Sequence, residues 1–451
     1  MTRWKTTALL LLVTVGVGAY ISLYELKQPA PEEREQLAKE IVSFPRESVT
    51  QLVLELPAVK ATLAHDGTAW RLAPGGVRAH EELINGILRH TNPLRAERAL
   101  RASAEQPLDP KAFGLDPPAG RITLLSRGVP TTLLIGETTA VHGNRYLQVA
   151  GRPEVFVVPG GVFDDANQPL ESFRDPLLIR ADAWSVDALT VTAPETALSL
   201  ARRDNAWQLT QPLADVADRA EVNALLGRLG QVRIQRWVDE RPQVEGLSTW
   251  GFERPALEVT VRLHGEPPAS MTLFFGAPLP DDASLVYAKR SDEPALYAVA
   301  AQDLEALKPD PHGLRAKACF ELFSSLVKQV DVSRDGTGWT IERTEGAWRQ
   351  AGSDQALEAQ RVEEFLGRLA DLRLAGFEED APSDLARYGL GSPHGAIAVW
   401  TTDRDTPQRL LVGATLAGSE SRYGRIEGRG AVVRLPAAVT GLLATTPEQL
   451  R

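Results

Sequence analysis

The sequence predicts an α+β fold in which an N-terminal transmembrane helix precedes three tandem antiparallel-sheet modules, each with one principal helix. Three observations predict it: an uncharged apolar run near the N-terminus, a six-residue motif that occurs three times at nearly constant spacing, and an amphipathic helical stripe beside strand-like alternation. With 451 residues, the chain is long enough for roughly two to four domains with cores of their own.

Residues 1–27 contain the predicted membrane anchor. Arg3 and Lys5 precede the run ALLLLVTVGVGAYISLY, from Ala8 to Tyr24, which carries no charge and has the minimum length that crosses a hydrocarbon core. A cleaved signal peptide is the alternative, although no small-x-small cleavage site follows the run. The basic residues precede the run and the acidic stretch EEREQ follows it, so the positive-inside rule predicts a cytoplasmic N-terminus and an extracytoplasmic remainder.

Composition and charge exclude several classes of protein. The net charge of −10 argues against non-specific nucleic-acid binding, which needs a basic surface. A single cysteine excludes an internal disulfide, so stability has to come from the burial of apolar side chains.

The repeated motif consists of an aromatic residue, glycine, an apolar residue, two variable residues and proline. Its copies read FGLDPP from Phe113, WGFERP from Trp250 and YGLGSP from Tyr388. The motif glycines lie at positions 114, 251 and 389, so the spacings are 137 and 138 residues. This period is too long for a classical solenoid repeat and suits a small domain.

Three further landmarks accompany the motif in the same order in each copy: a tryptophan that closes a short strand, an apolar run that ends in glycine, and a later tyrosine. They are Trp70, Gly136 and Tyr146 in the first copy, Trp207, Gly276 and Tyr287 in the second, and Trp348, Gly413 and Tyr423 in the third. The predicted organisation is a cytoplasmic stub with the anchor at 1–27, a linker at 28–45, and α+β modules at 46–165, 184–307 and 325–445.

Each copy also carries a helical pattern between its tryptophan and its motif. In the second copy Asp218 is an N-cap candidate, and Glu221 stands three residues later, at capping-box spacing. Apolar residues at helical spacing then form one stripe. The stripes are Ile84, Ile87, Leu88 and the polar Thr91 in the first copy, Val222, Leu225, Leu226 and Leu229 in the second, and Val362, Phe365, Leu366 and Leu369 in the third.

The motif itself is explained by chain geometry. A short helical stretch precedes each motif, and a glycine after a helix adopts the left-handed conformation that closes the last carbonyls. The following apolar residue packs back on the helix, and the proline stops the helix and opens a strand. A ligand site would not require the proline, so the pattern favours a structural turn.

Together, the anchor, the strand that ends in tryptophan, the six-residue motif, the apolar run that ends in glycine and the later tyrosine resemble the bacterial domain-of-unknown-function family 4340. The resemblance covers essentially the whole chain beyond the anchor. It implies a protein of the bacterial inner (cytoplasmic) membrane, single-pass, with its C-terminal bulk periplasmic. It also implies the envelope partners of a gliding-motility-type ABC transporter, namely the permease, its ATPase and an extracytoplasmic partner protein. The family has no established catalytic residues to carry over.

The residues that could carry chemistry have plainer explanations. The seven histidines show neither zinc-ligand spacing nor equivalent positions in the three copies; they are His65, His80, His90, His142, His264, His312 and His394. Cys319 aligns with Ile41 and Leu178, which predicts a core position.

Two acidic pairs and two arginines complete the candidates. The pairs Asp164–Asp165 and Asp281–Asp282 could serve acid–base catalysis or bind calcium, but neither recurs between copies, which favours solvated loops. Arg174 and Arg315 occupy similar places in the two links between copies and are expected to hold one module against the next.

We therefore expect a non-enzymatic interaction protein with no catalytic, cofactor-binding or metal-binding residues and no nucleic-acid partner, held to the membrane by its N-terminal helix. One alternative is a carrier that binds a lipid, glycan or peptide in grooves between modules. A hydrolase is the third hypothesis, and no convergent acid, base and nucleophile supports it.

Overall fold

A computed structural model describes residues 39–102, 108–140, 143–180, 184–203, 206–242, 247–265, 268–308, 310–353 and 355–451. The chain divides into two compact units. The first comprises the residues up to Pro176 together with Val238–Pro242, and the second comprises Leu177–Trp237 together with Gln243–Arg451.

The first unit contains a nine-stranded antiparallel sheet, a two-stranded sheet and two helices, which we call module 1. Its strands are β1 (Glu40–Val42), β2 (Val49–Leu56), β3 (Val59–His65), β4 (Trp70–Ala73), β5 (Val77–Arg78), β6 (Leu94–Arg95), β7 (Arg98–Leu100), β8 (Gly120–Ser126), β9 (Val129–Thr138), β10 (Arg145–Val149) and β11 (Val155–Val158). Its helices are α1 (Glu81–Thr91) and α2 (Gly161–Asp164).

The large sheet of module 1 consists of two meanders that meet at its centre. The strand order is β5-β4-β3-β2-β8-β9-β10-β11-β7. The first strands of the two meanders, β2 and β8, therefore pair with each other. Strand β7, which follows the helix in sequence, closes the far edge beside β11. Alternate side chains along each strand point to one face of the sheet, and that face packs against α1. Leu52 and Leu54 of β2, for example, lie in the same core cluster as Ile84 of α1.

The second unit holds two more copies of this plan. Module 2 contains β12 (Val186–Ala193), β13 (Thr196–Arg203), β14 (Ala206–Gln211), β15 (Asp215–Val216), β16 (Ile234–Asp239), β17 (Leu257–Leu263), β18 (Ala269–Pro278), β19 (Leu285–Arg290), β20 (Leu296–Ala300), α3 (Arg219–Gly230) and α4 (Ala301–Leu307). Its strand order, β15-β14-β13-β12-β17-β18-β19-β20-β16, is that of module 1.

Module 3 differs by one edge strand. It contains β21 (Val327–Arg334), β22 (Thr337–Thr344), β23 (Ala347–Gln350), β24 (Gly376–Glu379), β25 (Gly395–Thr401), β26 (Gln408–Thr415), β27 (Arg422–Ile426), β28 (Val432–Leu435), α5 (Ala359–Ala370) and α6 (Ala438–Leu443). The order β23-β22-β21-β25-β26-β27-β28-β24 repeats the plan in eight strands.

The principal helices α1, α3 and α5 lie where the apolar stripes predict them. All twelve stripe residues are buried. The side chain of Asp218 caps α3 by accepting hydrogen bonds from the backbone N–H groups of Ala220 and Glu221. Thr91, the polar member of the first stripe, donates its hydroxyl to the carbonyl oxygen of Ile87 at 2.8 Å, which explains why a polar side chain is tolerated in the core.

The predicted fold class requires correction. The proposed anchor at 1–27 lies outside the described residues, and among the residues that the structure does describe no helix is long and apolar enough to cross a membrane. The longest of the described helices have 12 residues. The described structure therefore does not bear out the predicted transmembrane helix or the predicted single-pass location in the inner membrane, and neither prediction is carried further.

The description of one principal helix per module is also too simple. Each module is mainly an antiparallel sheet of eight or nine strands, and a second short helix follows its last meander strand, namely α2, α4 or α6. Helices of four to seven residues are too short to show a reliable 3.6-residue period. Part of the predicted linker at 28–45 is likewise a strand, because Glu40–Val42 pairs with Leu94–Arg95.

Candidate functional site

The six-residue motif and the glycine that ends the apolar run form one contact in every module. The backbone carbonyl of the motif aromatic lies directly over that glycine, so a Cβ added to the glycine would approach the carbonyl oxygen to within 3.0 Å. The contacting pairs are Phe113 and Gly136, Trp250 and Gly276, and Tyr388 and Gly413. Two sequence landmarks are therefore the two sides of a single packing contact that only glycine permits.

The later tyrosine completes this arrangement in modules 1 and 3. The ring of Phe113 meets that of Tyr146 edge to face at 4.9 Å between centroids, and Tyr388 meets Tyr423 at 5.0 Å. Edge-to-face pairs of this kind add about 0.5–1.5 kcal/mol beyond burial. The landmarks thus stabilise the turn and leave no space for a ligand between them.

The motif glycine itself adopts the left-handed conformation that the sequence predicts. Its φ is +65° at Gly114, +78° at Gly251 and +68° at Gly389. The next residue donates its N–H back across the turn, from Leu115 to Pro110 at 3.0 Å, from Phe252 to Leu247 at 2.8 Å and from Leu390 to Leu385 at 3.0 Å. This is the longer hydrogen bond of a Schellman turn, so the prediction of a structural turn is confirmed.

The repeated tryptophan also has a structural partner. A basic or imidazole side chain lies against it in each module, because the preceding strand ends opposite it. His65 contacts Trp70 edge to face at 5.4 Å between centroids. The guanidinium carbons of Arg202 and Arg343 lie 5.1 Å and 5.7 Å from the ring centroids of Trp207 and Trp348, within cation–π range.

Where the structure describes them, the histidines and the acidic pairs are dispersed over separate local contacts. His90, His264 and His394 each contact a different carboxylate, of Asp165, Asp187 and Asp335. His142 lies outside the described residues.

The members of the pair Asp281–Asp282 serve separate local contacts. Asp281 pairs with Arg236, and Asp282 accepts hydrogen bonds from the backbone and the hydroxyl of Ser284. Within the described parts of the chain, no group of three or more histidine, cysteine or acidic side chains could hold a metal ion.

Cys319 is a core residue. Its side chain is buried, as are those of Ile41 and Leu178 at the equivalent positions. In modules 2 and 3 the segment before the first strand pairs with the residues that follow the principal helix. Leu178 donates its backbone N–H to the carbonyl of Val232, and Cys319 donates its backbone N–H to the carbonyl of Leu372. Burial raises the pKa of the Cys319 thiol to about 12, so the thiol stays protonated near neutral pH.

The largest concentration of buried charge lies where modules 2 and 3 meet in the second unit. Asp215, at the edge of the module 2 sheet, has a side chain that is 2% exposed, and it contacts two arginines. Arg315 from the link between the modules donates Nε to Oδ2 at 2.6 Å. Arg429 from module 3 donates Nε to Oδ1 at 2.6 Å and Nη2 to Oδ2 at 2.8 Å.

Two further residues of module 3 complete this group. Asp380 accepts a hydrogen bond from Nη1 of Arg315 at 2.6 Å, and the guanidinium carbon of Arg315 lies 3.5 Å from the ring centroid of Phe377. Two carboxylates and two guanidinium groups give no net charge. We call Asp215, Arg315, Phe377, Asp380 and Arg429 the ion cluster.

The arginines hold Asp215 ionised. Burial raises the pKa of a carboxyl, but the hydrogen bonds and positive charges of Arg429 and Arg315 outweigh it, and the net pKa of Asp215 is lowered. Both carboxylate oxygens already accept guanidinium hydrogen bonds, so this group is not available as a general base. The arrangement is suited to joining two modules and not to proton transfer.

Sequence alone gives one member of the ion cluster. Arg315 lies where it joins modules 2 and 3, as predicted. Asp215 could not be found from the repeat, because the equivalent residue of module 1 is Val77. The two residues are equivalent because β15 pairs with β14 in the same register as β5 pairs with β4. A buried charge that replaces an apolar repeat residue is the signal that could have identified it.

The first unit has a simpler form of the same contact. Arg174, equivalent to Arg315, forms an ion pair with Glu240, which follows Trp237 at the spacing by which Asp380 follows Phe377. Each arginine forms a β-bridge with the alanine that precedes the N-cap of a principal helix: Arg174 with Ala79 before α1, and Arg315 with Ala217 before α3. The prediction that these two arginines fill equivalent roles is therefore supported by their geometry.

A groove between modules 2 and 3 opens beside the ion cluster. Its volume is about 350 Å³, and charged and amide side chains contribute much of its lining, including Gln208, Glu321, Arg404, Gln408 and Arg429. Several of these are already paired, since Arg404 contacts Glu321 at 2.8 Å. A lipid carrier needs a continuous apolar groove, whereas charged side chains interrupt the apolar part of this lining, which includes Val216 and Ile426.

Comparison with known proteins agrees with the repeat. The family model described as a domain of unknown function (DUF4340) matches residues 70–213, 207–381 and 350–451. Two of these matches begin at the repeated tryptophans Trp70 and Trp207, and the third begins two residues after Trp348. No curated protein and no solved structure matches the chain. Because the three matches together span residues 70–451, the chain belongs to the DUF4340 family, whose domain it carries in three tandem copies.

Proposed function

We propose that this protein is a non-enzymatic interaction subunit of an ABC-type transport system, of the gliding-motility-like kind that the family resemblance implies. Its partner is the transporter's permease with its ATPase. The structural support is an exposed aromatic side chain on each of two equivalent loops.

These aromatics are Trp184 and Phe323, with relative exposures of 76% and 74%. Each aromatic lies in the loop just before the first strand of its module, Trp184 before β12 and Phe323 before β21. Equivalent arginines fix the loop backbones, because Arg202 donates to the carbonyl of Trp184 and Arg343 to that of Ser325, both at 3.2 Å. Loops that present large exposed apolar side chains are typical of protein contact sites, where tryptophan is a frequent hot spot.

The distribution of polar groups favours an interaction role over a carrier or an enzyme. The ion cluster and the repeated motif are engaged in holding strands and modules. The lining of the groove beside the ion cluster mixes charged with apolar side chains, which suits a lipid less well than a wholly apolar groove. The proposal therefore rests on the exposed aromatics, and these are what the experiment should remove.

The test is affinity purification from mild-detergent extracts of the native host, with a tag after Arg451 and mass spectrometry of the recovered proteins. We expect stoichiometric recovery of an ABC permease and ATPase with the wild-type chain, and at least tenfold lower recovery with Trp184→Ala combined with Phe323→Ala. The control is Val129→Ala, which shortens an exposed apolar side chain on a hairpin of module 1. Recovery of the chain alone, or equal recovery with the double variant, would refute the proposal.

A further inference from the structure

The face of the module 3 sheet that lies opposite α5 contains a depression of about 680 Å³. Its floor is formed by Ala396 and Ala398, whose neighbours on β25, Ile397 and Val399, point into the core on the other side. Both alanines are at most 8% exposed although they lie outside the core, because taller side chains surround them. We call this depression the module 3 pocket. Its volume lies within the range of about 300–1,000 Å³ that is usual for small-ligand sites.

The equivalent faces of modules 1 and 2 carry different residues at the same sheet positions. A threonine pair occupies the centre in both, with hydroxyls 3.0 Å apart at Thr123 and Thr132, and 2.9 Å apart at Thr260 and Thr272. In module 3 the corresponding cross-strand pair is Ala398 and Arg409. In modules 1 and 2 the two hydroxyls form a hydrogen bond with each other. In module 3 that pair is absent, and the guanidinium group of Arg409 offers hydrogen-bond donors to a ligand.

The walls of the module 3 pocket also change in character. Trp400 stands where module 1 has Leu125 and module 2 has Arg262. Asp331 is the cross-strand partner of Ala398, at the position that Val53 and Thr190 occupy in the other modules. Thr340 and Gln350 add a hydroxyl and an amide to the lining. An aromatic surface and four different hydrogen-bonding groups therefore surround an apolar floor.

Asp331 and Arg409 face each other across the floor without pairing. They lie on the strands on either side of β25, so about 10 Å separates their backbones. Within the described residues no ion pair joins them, and Asp331 accepts a hydrogen bond from Nε2 of Gln329 at 2.9 Å. One acceptor and one donor of opposite charge thus flank a gap with no net charge.

We propose that the module 3 pocket binds a neutral oligosaccharide. Sugar hydroxyls both donate and accept hydrogen bonds, so one ring satisfies Asp331 and Arg409 together, and the C–H face of the ring packs on the indole of Trp400. A net charge on the ligand would be attracted by one of the two charged side chains and repelled by the other, so no net attraction would offset its loss of hydration. The pocket is open to solvent on one side, which leaves room for further sugar units. This site lies beside the groove between modules, with which it shares Pro407 as a lining residue, and it does not depend on the transporter partner.

Isothermal titration calorimetry of the full chain tests the proposal, with maltohexaose, cellohexaose, chitohexaose and the charged hexamer of galacturonic acid as probes. We expect one of the neutral hexamers to bind and the charged hexamer to bind at least tenfold more weakly. Trp400→Ala should weaken binding of the neutral sugar by at least tenfold. Ala398→Thr combined with Arg409→Thr should abolish binding. These changes recreate the threonine pair that modules 1 and 2 carry at the same sheet positions, and they remove the guanidinium donor.

Matched controls separate the pocket from general effects. Val129→Ala shortens an exposed apolar side chain elsewhere, and Thr123→Ala alters the same sheet position of module 1; both should leave the affinity unchanged. Circular dichroism establishes that each variant is folded. Absence of binding by all three neutral hexamers, tighter binding of the charged one, or wild-type affinity in the Trp400→Ala variant would overturn the proposal.

Discussion

Asp215 and Arg429 are 214 residues apart in sequence, and two hydrogen bonds of 2.6 and 2.8 Å join their side chains in a bidentate pair. The pair crosses from the sheet of module 2 to the β27–β28 turn of module 3. Bidentate pairs between arginine and carboxylate fix orientation as well as distance, so this contact defines how these two modules pack within the second unit.

We expect Asp215→Asn to destabilise the second unit by about 3–5 kcal/mol, because the change leaves the buried Arg429 without its counter-charge and leaves Arg315 paired only with the partly exposed Asp380. Chemical denaturation of the full chain measures the change. The control is Asp281→Asn, which breaks an ion pair between exposed side chains and should change the stability little. Equal effects of the two substitutions would contradict a structural role for the ion cluster.

The same carboxylate predicts a dependence of stability on pH. The pKa of Asp215 in the folded state lies below its ordinary value, so the unfolded chain takes up its proton first as the pH falls. The stabilisation is therefore complete above the unfolded pKa and is lost as the pH falls through the lower folded pKa. The difference in unfolding free energy between wild type and Asp215→Asn should be constant from about pH 7 to about pH 5 and should shrink towards about pH 2. A difference that grows on acidification would refute this assignment.

The glycine contacts predict a sharp contrast between two similar substitutions. Gly276→Ala should destabilise module 2 strongly, because the new Cβ would collide with the backbone carbonyl of Trp250, and a backbone atom cannot move aside cheaply. Gly227→Ala, in helix α3, places its Cβ where no atom lies within 4 Å and should be neutral or stabilising by up to about 1 kcal/mol. Thermal unfolding of both variants measures the contrast, and similar melting temperatures would contradict the proposed contact.

These glycines show how far the sequence predicts the fold. The helical stripes, the left-handed turn at Gly114 and the core position of Cys319 follow from local spacing, and local spacing is visible in sequence. The contact between Gly136 and the carbonyl of Phe113 joins residues on different strands, so the sequence shows both landmarks without showing that they touch. The second helix of each module was missed for a different reason, since four to seven residues are too few to display a period.

The candidate sites were less predictable than the fold. Asp215 and Arg429 lie in separate modules and have no equivalent pair in module 1, so the repeat gives no signal for either. The module 3 pocket is a departure from the repeat, at Ala398, Arg409 and Trp400. Such a departure becomes informative only when the strand register shows that the changed positions are neighbours on one face.

Cys319 should resist thiol reagents in the folded chain. Its thiol is buried and its pKa is raised to about 12, so the reactive thiolate is scarce and shielded. Ellman's reagent should therefore label the native protein far more slowly than the urea-unfolded protein. Since the chain has a single cysteine, the signal reports this position alone, and rapid labelling of the native state would contradict its place in the core.

Hydrogen exchange of the full chain, measured by mass spectrometry for wild type and Asp215→Asn, tests most directly the claim that the ion cluster joins modules 2 and 3. We predict faster exchange in the variant on both sides of the contact, in peptides that contain β15, the link around Arg315 and the β27–β28 turn. Peptides of module 1 should exchange at the wild-type rate. Faster exchange confined to β15, with the β27–β28 turn unchanged, would show that the two modules are held together by other contacts and would contradict the account.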